Sequence, residues 1–122
     1  MADEPVQVLL PGRRSLLVRL TCKDGQRPVM LDILNTYADG LVEEPGTEVF
    51  MVSLDPDDGS LVWLFEVFKD EDAEDAHRSS AGFARMTGAM SDHLGAPPAV
   101  LRMDPLRMAM QESVFFVLLF SA

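Results

Sequence analysis

The stretch LVWLFEVFKDEDAEDAHRSSAGF, residues 61–83, decides the fold. Its first eight residues are apolar or aromatic except Glu66, a short run that reads as a strand buried over most of its length. Alternation places Leu64, Glu66 and Phe68 on one face and Trp63, Phe65 and Val67 on the other. Asp70 is a good helix N-cap, and Glu71 and Asp72 fall in the first turn, where the helix dipole favours negative charge. Ala73, Ala76 and His77 continue one helical face. Ser79-Ser80-Ala81-Gly82 predicts a bend before Phe83, Met86 and Met90 resume the stripe.

Working outward from this stretch, Asp55-Pro56-Asp57-Asp58-Gly59 is a strong turn signal. It joins the strand at 61–68 to another at Thr47 to Leu54, rich in β-formers, as a hairpin. Glu43-Glu44-Pro45-Gly46 stops a preceding helix that opens at Pro28. Val29, Met30, Ile33, Leu34, Tyr37 and Leu41 give that helix its apolar stripe. Ser15 to Cys22 reads as the first strand, closed by Lys23-Asp24-Gly25. Downstream, Gly95 to Pro98 ends the second helix, Val100 to Leu106 predicts a fourth strand, and Val114 to Phe120 is a further β-like segment. The order β-α-β-β-α-β is that of an α+β, ferredoxin-like domain with an antiparallel sheet. Residues 1–14 read as an N-terminal leader, 15–108 as the folded domain, and 109–122 as an apolar C-terminal extension.

The chain has 122 residues, about one domain. Its net charge of -10 argues against a nucleic-acid or anionic-membrane surface, since both require clustered Lys and Arg. The single cysteine, Cys22, excludes an internal disulfide or a cysteine-based zinc site, and a reducing cytoplasm is the expected compartment. It has no base nearby in sequence and is read as inert. The acidic start, Met1 to Glu4, is unlike a signal peptide. The apolar run 114–120 is too short to span a membrane. A soluble, untargeted protein is expected. His77 and His93 are too few for a histidine-only metal cage, and the acidic run 70–75 lacks the alternating ligands of a calcium loop. It reads instead as a solvated helix face, with Arg78 and Arg85 as solvated helix charges.

Gly25, Glu44-Pro45-Gly46, Asp55 to Asp58, Leu64 to Asp70, and Ala76-His77 with Phe83 form a pattern over residues 16–106. It resembles the antibiotic biosynthesis monooxygenase family of the dimeric α+β barrel superfamily. Two positions depart from the family pattern: Phe68 stands where tryptophan is usual and Phe65 where tyrosine is usual. The haem-degrading branch is a poorer match, because its Trp and His positions would fall on Phe68 and Thr87. The resemblance implies a homodimer and the oxygenation of a small aromatic or quinol-type substrate without metal, flavin or haem.

Glu66 reads either as a structural anchor or as a general acid or base whose pKa burial would raise. His77 reads either as a packed histidine or as a proton shuttle. A tight strand-to-helix connection would let both point into one space, and they are the candidate catalytic pair. Tyr37, Phe50, Phe68, Phe83 and Met86 are the candidate substrate-binding residues, each with core packing as the alternative. A ligand-binding or stress-associated barrel without turnover, and a proton-transfer isomerase on a small carbonyl compound, are the competing functions. Trp63, Phe65 and Val67 would leave an apolar sheet face uncovered unless two copies pack face to face, with part of 114–120 at the same interface.

Overall fold

The computed structural model describes residues 5–111, with side chains from residue 10 onward. Along these residues the chain forms β1 (Pro5–Leu9), β2 (Arg14–Thr21), α1 (Arg27–Asp39), β3 (Thr47–Leu54) and β4 (Leu61–Phe68). It continues with α2 (Glu71–Arg78), α3 (Ala81–Met90), β5 (Ala99–Met103) and β6 (Arg107–Gln111). Strands β2 to β5 make one antiparallel sheet in the order β3-β4-β2-β5. From β2 onward this is the ferredoxin-like arrangement.

The sheet has two unlike faces. On one, Val18, Leu20, Val62 and Leu64 pack against Met30, Leu34 and Tyr37 of α1 and Met86 and Met90 of α3. Burial of this set removes its apolar surface from water, the main favourable contribution to folding. On the other face the register aligns Met51, Phe65, Leu17 and Leu101 in one row across all four strands. Met51 is 51% and Leu101 60% exposed, and no helix among the described residues covers this row.

Four features differ from the sequence reading. The leader 1–14 contains β1, whose backbone pairs antiparallel with β6 in a separate two-stranded sheet. The boundary drawn at 108/109 therefore falls inside a strand. Each strand's unpaired N–H and C=O groups find their partner about 100 residues away, which no local pattern signals. The bend at 79–82 separates two helices, because Ser80 caps α3 through its Oγ, 3.1 Å from the Phe83 N–H. The fourth strand stops at Met103, before Pro105. Residues 114–120 lie outside the described residues.

Gly46 has a positional role. A Cβ there would lie 2.6 Å from the Ala73 Cβ, so only glycine allows the segment before β3 to lie against α2. The Lys69 N–H donates to the Gly46 carbonyl at 2.8 Å and holds that approach. Glu44 is thereby carried up to α2.

Candidate active site

Asp70 caps α2, its Oδ1 accepting from the Ala73 N–H at 2.8 Å. The helix set by this cap turns two ionisable residues inward, Glu74 and His77. The imidazole of His77 is packed between Phe68 and Phe83, with ring centroids 5.0 and 4.9 Å away. Its two nitrogens face two different carboxylates. Nδ1 lies 2.8 Å from Glu44 Oε1, and Nε2 lies 3.3 Å from Glu66 Oε1.

Glu44 is the most heavily engaged group. Its Oε1 accepts from the Tyr37 hydroxyl at 2.9 Å and from Thr47 Oγ1 at 3.0 Å, and its Oε2 accepts from Ser80 Oγ at 3.2 Å. Burial would raise its pKa, but the hydrogen bonds from His77, Tyr37 and Thr47 outweigh burial and hold the carboxyl below the usual value. An ionised carboxylate has no proton to give, so the proton of the 2.8 Å contact belongs to Nδ1. The Tyr37 oxygen, 2.9 Å from Nδ1, shares that donor. Burial first, then the bond to Glu44 and the charges of Glu44 and Glu66, raise the phenol's pKa, so Tyr37 stays a donor rather than a base.

Glu66 is the opposite case. Burial, with the charges of Glu44 and Glu74 added, pushes its carboxyl up to about 7. Its Oε1 is close to Nε2 but lacks hydrogen-bond alignment, and is the unpartnered buried side-chain oxygen among the described residues. With Nδ1 protonated, Nε2 and Glu66 Oε1 share one further proton, and a small rotation of the carboxyl completes their contact. The result is a line of two carboxyls and an imidazole that holds one labile proton at its buried end.

A cleft of about 380 Å³ opens beside this line, between α1 and α3. Tyr37, Glu44 and Ser80 form its polar end, and Ile33, Met86 and Ala89 are among its apolar lining. Gly82 keeps the polar end open, since a Cβ there would lie 3.4 Å from Glu44 Oε2 and 3.6 Å from the Tyr37 ring. Tyr37 and Met86 of the candidate binding residues line the cleft. Phe50, Phe68 and Phe83 are placed behind the polar cluster: Phe50 packs edge-on to Tyr37 at 4.7 Å, and Phe68 is wholly buried. Glu66 and His77 are brought together, but neither lines the cleft.

Glu44 and Ser80 were passed over in the sequence, one as part of a helix stop and the other as part of a bend. The signal for Glu44 was its presence in the Glu44-Pro45-Gly46 piece of the family pattern. Glu74, read as part of a solvated face, is only 1% exposed; two arginines supply the charge compensation that lets it be buried. Among the described residues no group of His, Cys, Asp or Glu is arranged to hold a metal. Glu44 and Glu66 address opposite nitrogens of His77 and do not converge. No helix among them is long and apolar enough to cross a membrane.

Several solved structures share the fold. The NE2512 protein of unknown function from Nitrosomonas europaea aligns with TM-score 0.69 and 26% identity over 77% of this chain and 89% of that one. Rv0793 from Mycobacterium tuberculosis aligns with TM-score 0.71 and 22% identity, over 77% and 95%. A Caulobacter crescentus protein named after an antibiotic biosynthesis monooxygenase reaches TM-score 0.75 at 16% identity, over 80% and 93%. No curated protein matches the chain. The sequence profile of the antibiotic biosynthesis monooxygenase family matches residues 14–88, from the start of β2 to near the end of α3, and spans every residue of the cluster. The chain therefore belongs to the antibiotic biosynthesis monooxygenase family.

Proposed function

We propose that the protein is a cofactor-independent monooxygenase acting on a small aromatic or quinol-type substrate held in the cleft between α1 and α3. The observation that carries this reading is the join between the cleft and the Glu44–His77–Glu66 line. A phenolic hydroxyl entering between Ile33 and Met86 meets Glu44 Oε2 at the polar end. Before the substrate loses its proton the three groups share a net charge of about -1 in a poorly solvated site, and proton uptake neutralises it. His77 and Glu66 form the proton-holding part, and Glu44 is the part that touches substrate. The deprotonated quinol is electron-rich enough to reduce dioxygen itself and supplies all four electrons: one oxygen atom enters a ring C–H bond, and the other leaves as water with the two hydrogens the quinol loses as it becomes a hydroxyquinone. The apolar lining shields that intermediate from solvent.

The test is oxygen uptake with a panel of hydroquinones and hydroxylated naphthalenes, in the presence of chelator. Uptake well above the uncatalysed rate, with one labelled oxygen atom in the product, is the expected result. A second reading, ligand binding without turnover, has one observation in its favour: Glu66 and His77 stop short of the cleft wall. Saturable binding with no uptake over the whole panel would select it.

The functional unit in this reading is a homodimer, in a reducing cytoplasm that suits the one buried cysteine. The row Met51–Phe65–Leu17–Leu101 supports the assembly, because it is apolar across all four strands and its two outer members, Met51 and Leu101, are half or more exposed. Packing two such faces about a two-fold axis buries both at once. Phe65→Asp places a charge in the middle of the row and is expected to convert the protein to monomers in sedimentation velocity at micromolar concentration. A parent that already sediments as a monomer would remove the dimer from the proposal.

A further inference from the structure

We infer that Glu74 and Arg102 are positioning residues for the His77–Glu66 pair, a clamp outside the cleft that fixes α2 over one row of the sheet. The inference rests on the role proposed for that pair, and its test reads the pair without turnover. On the helix-facing side of the sheet, Leu16 stands opposite Glu66 of β4 on one side and opposite Arg102 of β5 on the other. One row therefore carries Glu66, Leu16 and Arg102 in sequence. Helix α2 spans it. His77 meets Glu66 at 3.3 Å, and Glu74, three residues earlier on the same helical face, meets Arg102 at 3.1 Å. The second Glu74 oxygen accepts from Arg78 Nη1 at 3.0 Å, so each oxygen has one guanidinium.

An ion pair between a buried carboxylate and a largely exposed guanidinium is a poor way to gain stability, since desolvating the carboxylate offsets much of the attraction. What it adds here is register and charge. With α2 tied at Glu74 to β5, His77 is held one turn further along, above Glu66. Arg102 lies beyond residues 14–88, so the clamp reaches outside the stretch matched to the family.

The charged and titratable groups around the pair come from every element packed on it. Tyr37 comes from α1, Glu44 from the segment before β3, Glu74 and Arg78 from α2, and Arg102 from β5. The Glu74 charge helps Glu66 keep its proton, and a cation placed near a carboxyl acts in the opposite sense. Removing one member of the clamp therefore has a predictable sign. Glu74→Gln removes a negative charge and leaves Arg102 without its carboxylate, while Arg78 keeps Asp75 at 2.9 Å, and the pair releases its proton at lower pH. Arg102→Gln leaves the Glu74 charge half-compensated, and the pair holds its proton to higher pH.

The experiment follows the carbon-bound imidazole protons by NMR through a pH titration of the full chain. Only two histidines contribute. His93, which bonds Gln26 at 2.7 Å and takes no part in the cluster, is the internal reference. The His77 midpoint is expected to rise in Arg102→Gln and to fall in Glu74→Gln, each by about half a pH unit or more, while His93 stays in place. Arg102→Lys, which keeps the charge, is expected to return the midpoint close to the parent's. Movement of both glutamine variants in the same direction is what simple loosening of α2 would give, and it would overturn the clamp, as would no movement relative to His93. If Glu74→Gln fails to fold, the two Arg102 variants decide alone. That side chain is 65% exposed, so shortening it opens no cavity. Failure of the monooxygenase reading would appear only in oxygen uptake and would leave these titrations unchanged.

Discussion

Between pH 4.5 and about 7 the protein is expected to lose stability through Glu66 alone, on the order of 3 kcal/mol. The folded carboxyl holds its proton up to about 7, whereas the unfolded one releases it near 4.5. In that window the native state binds more protons than the unfolded state, so stability falls as pH rises and levels off above it. Glu44 has the opposite sign. Its depressed pKa contributes stability that is present above the usual carboxylate value and is lost on acidification through its folded pKa. Taken together, these two groups favour the folded state most near the usual carboxylate pKa, where Glu66 still holds its proton and Glu44 has already lost its own. Glu66→Gln removes the titration while keeping shape and a donor for Nε2, so it should be the more stable protein at pH 8 and nearly equal at pH 5. Denaturant unfolding of both proteins at the two pH values measures this. A variant that tracks the parent at both would mean that Glu66 is not holding a proton.

The largest effect on turnover is expected at His77. His77→Gln keeps a polar side chain of similar reach but cannot change protonation state, and should lower kcat by about 10²- to 10⁴-fold, the usual scale of acid–base catalysis. Glu44→Gln should fall in the same range, because it removes the carboxylate that takes the proton at the cleft and the charge that holds the proton on Nδ1. Tyr37→Phe deletes one donor to a charged acceptor, an interaction of about 1.5–3 kcal/mol, and should cost correspondingly less. Steady-state oxygen uptake with the best quinol of the panel ranks the three. Parent-like turnover in His77→Gln would remove the proton line from the mechanism and leave the cleft as a binding site.

The sequence by itself determined the ferredoxin-like core, because each of its signals is local. The Pro28 start and the Val29 to Tyr37 part of the stripe define α1, with Leu41 falling just past its end, and the Asp55 to Gly59 turn makes the hairpin. The Asp70 cap starts α2. Local, too, was the pairing of Glu66 with His77: alternation on a strand and a short connection to the next helix leave few places for either to point. What the sequence could not contain is which distant groups meet. Glu44 sits 33 positions from His77, and Ser80 36 from Glu44; they meet because Gly46 allows the chain to press on Ala73. Glu74 looked solvated because a run of acids usually is, and its burial is tolerable because Arg102, 28 positions on, joins Arg78 in compensating its charge. The pairing of β1 with β6 is of the same kind. Periodicity and caps follow from the covalent chain, whereas the proton-holding line, its clamp and the cleft beside it exist only once tertiary packing brings those side chains within hydrogen-bond reach.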